Sequence, residues 1–186
     1  MKGIILTSFV GWVEGTRGFI VCDEVINRCA AHLTTGGAYT SVGDYPAAEL
    51  TMLAGSLAEM ESTSADEIMR DFGVAAFEQL GSLHPEWLEG MPDLISLLSR
   101  IEPVIHVEVR KLYSDSQPPL IRARQDDDGA IYVTYESHRD LVALCHGLIE
   151  GAARHYGERG AVEMTDRTTV DGRTHATFLV ESNDGN

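Results

Sequence analysis

The 186 residues suffice for one domain with a real hydrophobic core. At 44% hydrophobic and 23% charged the composition is that of a globular protein, which excludes a disordered or low-complexity chain. Fourteen basic against 29 acidic residues give a net charge of −15, a balance that disfavours nucleic acid and anionic membranes as partners.

Lys2 is followed by the apolar run GIILTSFVGWV, which resembles a short signal peptide. No small-residue cleavage site follows it, and it is too short to span a membrane. Ile5, Phe9 and Trp12 or Val13 fall on one helical face, so a core helix is expected almost from Met1, in a cytoplasmic protein. Val21, Cys22, Val25, Ile26, Cys29 and Leu33 make a second helical stripe, closed by the turn-rich TTGGAYTSVGD. Pro46 occupies a first helical position ahead of AAELTMLAGSLAEM. Ser64 to Glu67 reads as a capping box, followed on one face by Ile68, Phe72, Ala76 and Leu80. After HPEWLEGMP come DLISLLSR and, with Pro103 at a helix start, VIHVEVRKLY.

QPPL ends the helical series, and strand patterning begins. LIRARQ and AIYVTYESH flank DDDG as a hairpin, and a helix runs from Asp140 to about Tyr156. AVEMTDRTTV and RTHATFLVE form a second hairpin about Asp171-Gly172. Helices followed by two hairpins around a helix predict an α+β fold with an antiparallel sheet, its two parts sharing one core.

Enzymatic motifs are absent: no H-E-x-x-H, G-x-S-x-G, P-loop or G-x-G-x-x-G occurs. Cys22, Cys29 and Cys145 form no C-x-x-C pair and read as buried structural thiols. Of the seven histidines, His106 stands among Val104, Ile105, Val107 and Val109. A lone histidine there is ordinarily a core or edge residue bonded to backbone. The same setting also suits one axial ligand of a metal that brings its other ligands with it, such as haem iron. Tyr135, Ser137 and Arg139 alternate along a strand and so point two hydroxyls and a guanidinium one way, a donor set for a carboxylate. Taken alone, they equally read as a strand end with a surface arginine.

MKGII, a histidine in V-I-H-x-E-V, the Pro118-Pro119 pair, Y-x-S-x-R and then GLIEG together resemble the haem nitric oxide/oxygen-binding (H-NOX) family over essentially the whole chain. The resemblance implies haem b, protoporphyrin IX iron, with His106 as the iron ligand and Tyr135, Ser137 and Arg139 clamping its propionates. Pro119 would press on the macrocycle, and Ile5 and Phe9 would wall the distal side. It further implies a distal helical part of about residues 1–63 packed over a proximal helix-and-sheet part of about residues 64–186, with haem between them.

Family members that hold oxygen stably place a tyrosine nine residues after the motif tyrosine, and this chain has Leu144 there. Oxygen on iron needs a hydrogen-bond donor far more than NO or CO does. Neither Leu144 nor Phe9 can donate, so the pocket is expected to bind NO and CO and exclude O₂. Some relatives carry a Cys/His cluster near the last hairpin; Met164, Arg167 and Ala176 here, with only His175, predict no zinc. The expected role is a gas sensor without catalysis that signals to a separate protein, by resemblance a histidine kinase or a cyclic-di-GMP enzyme. The competing readings are an NO-consuming haem enzyme and a haem-free module that uses the clamp for another carboxylate.

Overall fold

The structure, a computed structural model, describes residues 1–112, 116–158 and 160–181. Helices α1 (Gly3–Arg17), α2 (Phe19–Cys29), α3 (Ala47–Glu61) and α4 (Ala65–Leu83) lead the chain. A capping box fixes the start of α4: the Ser64 hydroxyl accepts from the Glu67 amide while the Glu67 carboxylate accepts from the Ser64 amide. Pro46 sits one residue before α3, as its cap, rather than in its first turn.

Helix α5 (Leu94–Arg100) begins at Asp93, whose carboxylate accepts from the Ser96 amide at 2.9 Å. It runs without a break through a π turn (Ile101–Ile105) into α6 (His106–Leu112). Pro103 therefore does not start a helix. It lies inside the π turn, where a widened backbone absorbs its missing N–H and its ring. Tyr113, expected at the end of this helix, lies outside the described residues.

Strands β1 (Leu120–Gln125), β2 (Ile131–Ser137), β3 (Val162–Val170) and β4 (Arg173–Val180) form one antiparallel sheet in the order β1-β2-β4-β3. The turn between β3 and β4 places Asp171 at φ +50° and Gly172 at φ +73°, the positive pair that a two-residue hairpin demands. Register pairs Ile131 with Val180, Val133 with Phe178 and Tyr135 with Ala176, all buried. Helix α7 (Val142–His155) follows β2 and packs along α4. The chain is thus α+β, helix-rich with a four-stranded antiparallel sheet.

Two buried clusters replace the single core expected. One gathers α1 to α4 with Leu144; the other gathers α5, the sheet and most of α7. Ile68, Met69, Phe72 and Ala76 commit the buried face of α4 to the first cluster. The clusters meet where α4 crosses α7 at Gly73 and Gly147. A Cβ on Gly73 would lie 2.6 Å from the Leu144 carbonyl oxygen, so only glycine permits this approach.

Candidate functional site

Between the clusters lies a cavity of about 380 Å³, within the range of cofactor sites. Residues from α1, α4, α5, the π turn, α6, β1, β2 and α7 reach it, as does the segment from Ser116 to Pro119. The helix-then-sheet order of the sequence is what brings these distant stretches to one place.

One wall carries His106, whose side chain is 14% exposed. Its Nδ1 lies 2.9 Å from Glu102 Oε2, and Arg110 donates to Glu102 Oε1 at 2.9 Å. Burial lowers the His106 pKa, partly opposed by Glu102, so the ring is neutral at pH 7. Burial pushes the Glu102 carboxyl up, but His106 and Arg110 more than offset it and hold it ionised. A carboxylate facing Nδ1 fixes the proton there and leaves the Nε2 lone pair for a metal. Sequence reasoning passed over Glu102 and Arg110, four residues either side of His106; that spacing on one helical face was the available signal.

Tyr135, Ser137 and Arg139 all line the same cavity. The strand ends at Ser137, so strand alternation aligns only the first two, and hydrogen bonds bring in the third. Tyr135 donates its phenol proton to the Arg139 carbonyl at 2.6 Å and accepts from the Leu141 amide. The Arg139 amide donates to Ser137 Oγ at 3.1 Å, and its guanidinium donates to the Gln117 carbonyl at 3.2 Å. Burial raises the Tyr135 pKa, which keeps the phenol a donor. Tyr135 therefore shapes the turn that presents Arg139, rather than offering its proton to the cavity.

The remaining expected residues divide. Pro119, Ile5 and Leu144 line the cavity, and Pro118 does so as well. Phe9 does not: it is 1% exposed, with its ring edge-on to Phe72 at 5.1 Å. The cavity reaches only the first turn of α1, through Ile4 and Ile5, and beyond it α4 covers the helix. Phe77 and Leu80 of α4, with Leu141 and Leu148, complete an apolar wall that the sequence reading had not assigned. His84 lines the cavity too, stacked on Trp87 at 4.1 Å and facing Glu86. Cys145 is a third kind of lining residue, a thiol whose pKa burial pushes up to about 12.

These residues fit haem. The cavity is apolar, one wall offers an oriented imidazole, and a guanidinium waits for a carboxylate. Ser116 lines the cavity with a buried Oγ that has no hydrogen-bond partner among the described residues. Among those residues no three His, Cys, Asp or Glu side chains are grouped to hold a metal ion, and no helix is long and apolar enough to cross a membrane.

An H-NOX protein from K. algicida, in its unliganded Fe(II) form, is similar in structure with a TM-score of 0.85 at 29% identity, covering 100% of this chain and 98% of that one. An H-NOX protein from S. oneidensis in the Fe(II)NO ligation state gives 0.83 at 27% identity, covering 98% and 99%. A Cs H-NOX mutant with 4-cyano-L-phenylalanine at site 5 gives 0.88 at 22% identity, covering 99% and 97%, and supports the fold alone. A search of curated proteins finds no match. The family model described as haem-NO-binding matches residues 2–164. The chain belongs to the haem-NO-binding family of haem-binding gas sensors.

Proposed function

We propose that this protein holds haem b through His106 and senses nitric oxide at ferrous iron, binding CO as well, excluding O₂ and performing no catalysis of its own. The observation that carries this reading is His106 with Nδ1 committed to Glu102, facing the same cavity as Arg139 and Leu144.

When bound, haem would supply a ferrous iron able to take a diatomic gas. His106 would hold the iron through Nε2, while Glu102 retains the Nδ1 proton and Arg110 holds Glu102 in place. Arg139, with Ser137, binds the haem carboxylates, and Tyr135 keeps Arg139 in position. Pro119 and Ile5 line the cavity and would pack against the cofactor's ring. Ile5, Phe77, Leu141 and Leu144 exclude water and offer no side-chain donor, a wall that serves NO and CO but not O₂. His106 would be the tie between α6 and the cofactor, and a gas that weakened that tie would free α6, none of whose described side chains is fully buried. The helix and the π turn then relax, a population shift that NO drives by its preference for one arrangement. A separate partner reads that change; a histidine kinase or a cyclic-di-GMP enzyme suits the family resemblance, in a cytoplasmic setting.

His106→Gly tests the ligand. The variant should lose the five-coordinate ferrous spectrum, and added imidazole should restore it by filling the gap. A variant with an unchanged spectrum and no response to imidazole sinks the assignment.

A further inference from the structure

Three kinds of donor surround the carboxylate end of the cavity, and the hydrogen bonds already made there leave them unequal. One guanidinium nitrogen of Arg139 is committed to the Gln117 carbonyl, and the proton of Tyr135 is committed to the Arg139 carbonyl. A carboxylate accepts at about four lone-pair positions, and the planar fork of one guanidinium meets it with two N–H groups at most, which leaves room for hydroxyl donors. Ser116 stands directly before Gln117, the residue that holds Arg139, and its Oγ is buried with no partner among the described residues. Buried hydroxyls are rarely left without a partner, because desolvation then goes uncompensated. Pro118 biases Gln117, the residue after Ser116, toward extended backbone.

We infer that Ser116 is a further cofactor-binding residue, whose hydroxyl donates to the haem carboxylate that Arg139 holds. The Y-x-S-x-R stretch then supplies only part of the clamp, and the segment before the proline pair supplies another donor. The inference rests on the haem reading above.

The test compares wild type, Ser116→Ala and the near-isosteric Ser116→Cys, each loaded either with haem or with iron etioporphyrin, which has alkyl groups in place of the carboxylate-bearing side chains. The rate of haem transfer to excess apomyoglobin is measured, together with the melting temperature of each protein. With native haem both variants should release about tenfold faster than wild type, the change expected at the lower end for one hydrogen bond to a charged group. With iron etioporphyrin, all three proteins should release at the same rate. Equal rates with native haem overturn the inference and leave Ser116 bonded to water. An acceleration that persists with iron etioporphyrin also overturns it, since packing alone would then explain it. A wild type that takes up no haem at all overturns the haem reading itself, a result distinguishable from both.

Discussion

Replacing Arg139 by alanine separates the group that holds the cofactor from the groups that hold the turn. The backbone of Arg139 is fixed independently of its side chain: its carbonyl accepts from Tyr135 and its amide donates to Ser137. Truncation therefore removes the guanidinium and leaves the turn in place. A charge-assisted bond is worth about 1.5–3 kcal/mol, or roughly 10- to 150-fold in haem affinity. Arg139 is half-buried, so solvent screening places the expected effect toward the lower end. Tyr135→Phe should act differently. Tyr135 is 2% exposed, and losing its hydroxyl strands the Arg139 carbonyl and the Leu141 amide. That costs about 1–3 kcal/mol of fold stability, with a smaller change in haem release. Haem transfer to apomyoglobin, run beside thermal melts, reads both quantities. Arg139→Ala should release haem quickly with a nearly unchanged melt, and Tyr135→Phe should melt early with slower release. Equal release from the two variants, or faster release from Tyr135→Phe, would refute this division of labour.

Leu144→Tyr should place a phenol on the apolar wall and give the ferrous protein an oxygen-dependent spectrum in air, at a packing cost of about 1–3 kcal/mol; a folded variant whose spectrum in air is unchanged argues that position 144 does not face the gas. Gly147→Ala should destabilise by roughly 1–3 kcal/mol, because its Cβ would meet the Arg70 carbonyl across the helix crossing; an unchanged melting temperature contradicts that contact. Glu49 is 1% exposed and accepts from the Thr34 amide at 3.0 Å, the Thr34 hydroxyl and the Tyr39 phenol at 2.8 Å. Burial pushes its carboxyl up, but those donors more than offset this and the net shift is downward. A depressed pKa gives stability that is present above the unfolded value of about 4.3 and is lost as pH falls through the lower folded value. Glu49→Gln should flatten the acid limb of a stability–pH curve, and an identical acid limb in both proteins would remove Glu49 from the explanation.

Local chemistry was legible in the sequence wherever one stretch decides the outcome. The capping box at Ser64, the Asp171-Gly172 hairpin and the α1 face through Phe9 and Val13 all follow from spacing. Pro103 was misplaced because a proline at a helix start and one inside a π turn share the same neighbours; only the uninterrupted packing of α5 to α6 separates them. Phe9 shares a helical face with Ile5, yet the cavity ends one turn earlier, a limit set by α4 and invisible in α1 itself. His106, Tyr135, Ser137 and Arg139 were found by motif, but that Tyr135 bonds backbone needed coordinates. Glu49 passed unnoticed because its donors lie 15 and 10 residues away in an irregular loop. Ser116 carries no signal at all in sequence, since an unpartnered hydroxyl exists only relative to what surrounds it.

The absorption spectrum of the purified, haem-loaded ferrous protein tests the central claim most directly, recorded first in air and then with NO. The account predicts a five-coordinate Soret band that air does not convert to a stable oxygen complex and that NO shifts at once. A long-lived oxygen complex in the wild type would contradict it, as would a chain that shows no Soret band after haem supplementation.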